Sequence, residues 1–482
     1  MDGKIESILK RAFWVPFVLG MIGYWLIGQE SFIDAVYECL ALYFVNPVSD
    51  ITNIFVILSK FTAFFIAASA VLTMFLKLIN NVDHAKINRE PDSTAVYGDN
   101  EWTDRFVANL NHGYKAELRK NGQPENANYQ VIMYSDDVEN INFYTEQLDF
   151  FKNKPTFVML NNTDSHLLAN TAGRNVHYFN LNDLSARMYW KNNDLYDQVM
   201  NRNEQIIKIA IIGSNPMAEA VLERGYLINL YRLTQKIEYH VWGYKGAKRK
   251  EMEKLYQTTM NGDSVTFYET EWNNDLSLFA QMSRVIICEE EKKLAIMQML
   301  LHQYNGLSIH CWNQSGTKYE QIFNAPGLKT FGDLSEILTE ECIKEEKPLR
   351  QAKLFNYDYT LRKSGRTLPD NYEEEMEKEW VQLDGFTRDS NISRTDHIGI
   401  EKKLRESGAD QTELFELEHI RFCRYHYVNH WTYDPLPDTE GTKDKVHRKH
   451  KLLIPFEDLP QSEKVKDGIY DSRVKEEIEK LI

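Results

Sequence analysis

The chain is 482 residues long, 43% hydrophobic and 26% charged, with a net charge of −15 and a mean hydropathy of −0.49. That length exceeds one compact domain, and that apolar fraction belongs to folded rather than disordered protein. The acidic balance argues against a nucleic-acid binder, which needs a basic footprint against phosphates, and against a broad polybasic membrane surface.

Residues 13–28 (FWVPFVLGMIGYWLIG) are apolar and uncharged, and residues 61–79 are apolar apart from Lys77, which can snorkel. The first stretch lacks a signal-peptide cleavage site and a second follows it, so the pair predicts two membrane spans. The first is short against the ~20 residues a bilayer needs. Lys4, Lys10 and Arg11 precede the first span, and Lys77, Lys86 and Arg89 close or follow the second. Between them lie Glu30, Asp34, Glu38 and Asp50, with Lys60 the one opposing cation. That asymmetry predicts both termini on the cytoplasmic side of the cell inner membrane.

Within the connection, Ser31 to Phe44 has helical periodicity and breaks at Asn46-Pro47. A short helix, an extended stretch and then a spanning helix is a pore-loop order, which makes Asn46, Pro47 and Asp50 candidate pore residues. The other reading is an interfacial amphipathic helix joining two anchors. The stretch Val45-Asn46-Pro47-Val48-Ser49-Asp50 contains no TVGYG-like filter, so potassium selectivity does not follow from it.

After a polar linker, strand and helix patterns alternate for most of residues 94–333. In the clearer, second half, 205–213 (QIIKIAIIG) reads as a strand buried on both faces. Strands at 237–242, 265–268, 285–288 and 307–312 continue a doubly wound parallel sheet. The turn after 205–213 is a degenerate dinucleotide fingerprint. Gly213 and Ala218 hold the first and last positions, but Asn215 replaces the middle glycine that lets a backbone approach pyrophosphate. This argues against tight NAD binding. A helix N-terminus can still hold phosphate, so Gly213 and Asn215 are either a residual ligand site or part of a scaffold used for assembly.

The first half opens with Thr94-Ala95-Val96-Tyr97-Gly98-Asp99-Asn100-Glu101. Asp99 and Glu101 would repel phosphate there, so this unit reads as structural. A strand at 129–134 runs into Ser135-Asp136-Asp137, the place of a ribose-binding acid. Two such units behind a two-helix membrane module resemble the regulator-of-potassium-conductance (RCK, TrkA-N-like) arrangement, over residues 13–333. The resemblance implies a ligand-gated channel.

Residues 346–410 are highly charged and read as helices and linker. From Leu414 the chain carries Glu416, His419, Phe422 and Arg424, then Trp431-Thr432-Tyr433, then Pro455-Phe456 before a last charged helix. Those residues, in that order, resemble the ryanodine-receptor (RyR) repeat domain. Phe422 stands where the family has Trp, and His430 where it has Gly. Glu416, His419 and Phe422 share one helical face. Trp431 and Tyr433 are candidates to stack a base, and Arg421, Arg424 or Lys443 to meet a phosphate. Taken singly, Phe422, Trp431 and Phe456 each read more readily as core of a small helical domain. Bacterial proteins that join this repeat to sensor units and membrane helices resemble nucleotide-responsive effectors of antiviral defence.

No H-E-x-x-H, G-x-S-x-G or Walker A motif is present, and Tyr359-x-x-x-Lys363 falls outside both Rossmann-like units, so no enzyme is expected. The five cysteines (Cys39, Cys288, Cys311, Cys342, Cys423) form no C-x-x-C pair, which suits reduced thiols. The expected architecture is a membrane α-helical hairpin (1–79), α/β tandem Rossmann-like units (80–200 and 201–345), a charged helical linker (346–410) and a small mainly α RyR-type domain (411–482). The expected function is a homo-oligomeric, cation-preferring channel or membrane-permeabilising effector. Membrane lipid, monovalent or divalent cations and a nucleotide or NAD-derived ligand are its expected partners. The alternative is a membrane-anchored sensor or scaffold without a pore. A nicotinamide oxidoreductase is the weakest reading, because both phosphate turns are damaged.

Overall fold

The computed structural model describes residues 12–119, 121–162, 174–436 and 441–482, excepting the side chains of 73 and 76–81. Lys4, Lys10, Arg11 and the side chain of Lys77 lie outside what is described. The chain divides into two compact units, Met1–Pro91 and Asp92–Ile482.

In the first unit, helix α1 (Trp14–Met21) runs on as a wider-wound segment, Ile22–Ile27. Helix α2 (Phe32–Ala41) starts on the side chain of Ser31, which accepts Asp34 N–H. It ends through Leu42–Phe44 at Val45, a non-glycine residue with φ +56°. Residues 46–53 form no regular secondary structure, and Asn53 at their end is extended. Helix α3 (Ile54–Ile87) then begins under Asn53, whose Oδ1 accepts the N–H groups of Phe55 and Val56. Asn53 Nδ2 also donates to Gly23 O at 2.8 Å, which ties the start of α3 to the end of α1. Among the described residues, Ile54–Leu72 alone is long and apolar enough to cross a membrane; Trp14–Ile27 is apolar but shorter.

The second unit holds two fully parallel sheets. The first contains β1 (Thr94–Tyr97), β2 (Gly113–Lys115), β3 (Tyr129–Ile132), β4 (Thr156–Met159) and β5 (Val176–Phe179), in the order β2-β1-β3-β4-β5. Helices α4 (Glu101–Ala108), α5 (Asp137–Glu146) and α6 (Leu181–Asn192) follow β1, β3 and β5. The second sheet contains β6 (Ile206–Ile212), β7 (Lys236–Trp242), β8 (Ser264–Tyr268), β9 (Arg284–Ile287), β10 (Ile309–Trp312) and β11 (Leu328–Phe331). Its order, β11-β10-β9-β6-β7-β8, is that of a doubly wound dinucleotide fold. Helices α7 (Pro216–Ile228), α8 (Gly246–Leu255) and α9 (Lys293–Gln303) follow β6, β7 and β9. The strand order reverses between β1 and β3 in one unit, and between β6 and β9 in the other.

Residues 346–410 do more than link. They form α10 (Glu346–Ser364), α11 (Tyr372–Val381) and α12 (Gly385–Glu406), followed by α13 (Gln411–Val428). Leu354, Tyr357 and Leu361 of α10 share a core with Val474 and Ile478 of the last helix, α14 (Ser472–Glu479). Ile400 of α12 and Leu417 and Ile420 of α13 enter the core of the second Rossmann unit, beside Val221 and Tyr226. The terminal region is therefore packed into the second Rossmann unit rather than tethered to it. Three short strands, β12 (Thr432–Tyr433), β13 (Lys443–Asp444) and β14 (Lys449–His450), form a small sheet beyond α13.

Candidate functional site

Both Rossmann turns are closed by an asparagine. After β6, Gly213 has φ +144°, and a Cβ there would lie 3.1 Å from the carbonyl carbon of Cys288. Only glycine lets the ends of β6 and β9 come that close. Asn215 caps α7, accepting Ala218 N–H at 3.0 Å, while its Nδ2 donates to Cys288 O at 2.7 Å. One amide thus takes up part of the helix N-terminus and spans the crevice where a dinucleotide would lie. Asn100 does the same in the first unit, accepting Thr103 N–H at 3.0 Å and donating to Met133 O at 2.7 Å. Asp136 and Asp137, placed from the sequence at the ribose position, are otherwise engaged. Asp136 caps α5, and Asp137 accepts the N–H groups of Asn161 and Asn162 at 2.9 and 2.8 Å. The strand beside β1 on the ribose side is β2, not β3.

A more open site lies in the terminal region. His419, Phe422 and His426 repeat along one face of α13 and meet His450 and Lys443 from the small sheet, around a cavity of about 330 Å³. Arg362, Arg394 and Asp467 also line it. The Phe422 ring lies 4.2 Å from the ring of His426 and 5.6 Å from that of His450. His419 Nε2 lies 2.8 Å from Ile454 O, and its Nδ1 lies 3.7 Å from Asp467. Burial lowers the affinity of His419 and His426 for a proton. Burial and then Lys443 push His450 down to about 4. Burial and then Glu418 push Asp467 up to about 8. Near neutral pH these rings and Asp467 are therefore uncharged. The wall also carries Asp358, Glu418, Glu463, Lys443 and Lys466, and Glu418 pairs with Arg421 at 2.7 Å and with Arg394 at 3.5 Å. Flat neutral rings can stack a base, and guanidinium groups can meet an anion.

Of the terminal residues singled out in the sequence, His419, Arg421, Phe422 and Lys443 line this cavity, while Glu416, Arg424, Trp431 and Tyr433 do not. Glu416 shares the helix of His419 and Phe422, and burial raises its carboxyl above the usual range, followed by Glu457. Trp431 is buried, with its ring 5.0 Å from Phe386 and 5.3 Å from His426. Together with the half-exposed Tyr433 it lines a different cavity of about 400 Å³, against Lys254 and Gln257. Arg424 is fully buried. It donates to Thr259 O, Tyr226 O, Asn261 Oδ1 and Asp263 Oδ2 at 2.6–3.0 Å, so its donors are spent on clamping α13 to the second Rossmann unit. Arg421 reaches the cavity wall but is paired with Glu418 at 2.7 Å. Sequence reasoning misses His426 and His450, although His426 follows His419 by seven residues and so falls on the same helical face.

Further clamps join the terminal helices to the first Rossmann unit. Arg388 of α12 donates to Val176 O and Arg174 O, both at 3.0 Å. Arg187 of α6 pairs with Asp396 of α12 at 2.7 Å and also with Glu345. Glu345 stands at φ +45° in the turn that opens α10. Helices that wall the cavity are thus bonded to both Rossmann units.

No protein-family model and no curated protein matches the chain. Among solved structures, a point mutant of GsuK is similar at 13% identity and a TM-score of 0.34, covering 72% of this chain and 100% of that one. GsuK bound to ADP is similar at 12% identity and a TM-score of 0.32, covering 69% and 94%.

Proposed function

We propose that this protein is a ligand-gated cation pathway, assembled from several copies of the chain in the inner membrane with both termini cytoplasmic. The reading rests on the helix, irregular segment and helix of the first unit. After the left-handed turn at Val45, residues 46–53 form no regular secondary structure, with Asn46, Val48 and Asp50 exposed. Among the described residues, no donor reaches the carbonyls of Asn46, Pro47, Val48 or Ser49. Free carbonyls with an acid beside them suit a cation. The stretch Ile54–Leu72 has a mean hydropathy of 2.1 and is only 17% buried, a surface for hydrocarbon or neighbouring copies. Two helices per chain enclose no pore, hence the several copies.

The proposed gating ligand is a nucleotide-type or NAD-derived anion in the 330 Å³ cavity, whose size and lining suit a small ligand. It must bind the conducting assembly more tightly than the closed one, since equal affinity shifts nothing. Ion flux from proteoliposomes of the full chain, with and without ATP, ADP, NAD and ADP-ribose, tests this. Ligand-dependent cation flux supports the proposal. Silence with all four, while one still raises the melting temperature, supports the anchored sensor without a pore.

A further inference from the structure

The irregular segment 46–53 of the first unit is bonded by two carboxylates, Glu38 and Glu30. Glu38, on α2, is only 6% exposed, on the buried face that also carries Ala35 and Cys39. Its Oε2 accepts Val48 N–H at 2.9 Å. The next residue, Ser49, gives its hydroxyl to Glu30, and Ser49 Oγ accepts Ile51 N–H at 3.3 Å. The Val48 side chain meanwhile is 69% exposed. The donors of residues 48 and 49 are thus held by Glu38 and Glu30, while among the described residues no donor reaches the carbonyls of 46–49. A buried carboxylate is expensive unless bonded, and an acid within a membrane module marks function.

We infer that Glu38 is the positioning residue of the conducting segment: its carboxylate fixes the backbone at Val48, with Glu30 fixing Ser49, and so sets which cation passes. The inference rests on the pore reading. It separates the hydrogen bond from the charge, because Glu38→Gln keeps an oxygen acceptor for Val48 N–H and Glu38→Ala does not.

The test uses the full-length protein in liposomes, comparing wild type, Glu38→Gln and Glu38→Ala. Two quantities are read, the K⁺/Na⁺ permeability ratio from reversal potentials and hydrogen exchange of the Val48 amide. Glu38→Gln is expected to keep the wild-type ratio. Glu38→Ala is expected to change the ratio several-fold and to cut Val48 protection by about tenfold or more, the scale of a lost hydrogen bond to a charged group. A wild-type ratio in Glu38→Ala, or an equal change in both variants, overturns the inference. A wild type with a protected Val48 amide that carries no ions in any ligand condition overturns the pore reading itself. A conducting wild type with an unprotected Val48 overturns the assignment of Glu38 alone.

Discussion

Asn100 and Asn215 make the same two bonds in two successive Rossmann units. Each accepts the N–H three residues on and donates to the carbonyl just past the neighbouring strand, Met133 O and Cys288 O, both at 2.7 Å. Each follows a glycine by two residues, so the tandem units share a Gly-x-Asn turn where a dinucleotide fold has Gly-x-Gly. The middle glycine is not simply lost. Its place is taken by a side chain that bonds across the crevice, which moves the search for a ligand to the terminal region.

Replacing either asparagine by alanine uncaps a helix and strands a carbonyl between strand ends. Asn215→Ala and Asn100→Ala are each expected to cost about 1–3 kcal/mol, read as a lower urea midpoint. Asn215→Gly reopens the crevice at similar cost. Thermal shift with NAD then shows whether the amide was what kept a dinucleotide out, and an added NAD-dependent stabilisation is the expected result.

Arg424 and Asp263 form an ion pair with side chains 0% and 1% exposed. Removing one partner leaves an uncompensated buried charge, so Arg424→Leu is expected to destabilise by about 3–5 kcal/mol. The double variant Arg424→Leu, Asp263→Leu should regain part of that loss. Recovery will be incomplete, because Asp263 also accepts Ile237 N–H. A double-mutant cycle on unfolding of the full chain measures the coupling.

The strand 206–212 is legible because a strand buried on both faces of a parallel sheet reads as a long apolar run, and 236–242 because Ile237, Tyr239 and Val241 alternate with polar residues. Strands 156–159 and 176–179 are not: each is four residues long, too short for a period to declare itself. His419 and Phe422 stand out through the ordered residues that carry the resemblance in the sequence, and helical spacing then places them on one face of α13. The role of Arg424 is not, since its partner Asp263 lies 161 residues away. Nothing local distinguishes an arginine that clamps two domains from one that awaits a phosphate. Trp431 and Tyr433 illustrate the same limit, because spacing along the chain does not tell which of two cavities a side chain joins.

Two buried groups in the cavity give opposing pH dependences. Asp467 is raised from 3.8 to about 8, so the folded state holds a proton that the unfolded state has released. Its contribution to stability is full below pH ~4 and is lost as pH rises to ~8. His450 is depressed from 6.5 to about 4, so its contribution is full above pH ~6.5 and is lost on acidification toward ~4. Between pH ~4 and ~6.5 the two oppose each other, and His419 and His426, also depressed by burial, add to the rise. Above ~6.5 Asp467 leaves a fall in stability to ~8 on the order of 1 kcal/mol per pH unit. Asp467→Asn should flatten that fall, and His450→Phe should weaken the rise below pH ~6.5. Urea midpoints across the range measure both.

The cavity assignment separates Phe422 from Trp431. Both are aromatic and nine residues apart, but Phe422 lines the 330 Å³ cavity and Trp431 the other. A ligand at 100 times its Kd stabilises the folded chain by about 2.7 kcal/mol. Phe422→Ala and Lys443→Gln should abolish that thermal shift for whichever of ATP, ADP, NAD and ADP-ribose produces it. Trp431→Ala should cost about 3–5 kcal/mol of intrinsic stability through the void it leaves, while the shift caused by ligand persists. If Trp431→Ala instead loses the ligand shift and Phe422→Ala keeps it, the ligand sits in the 400 Å³ cavity against α8. Gating would then act on the second Rossmann unit directly, rather than through the helices that clamp both.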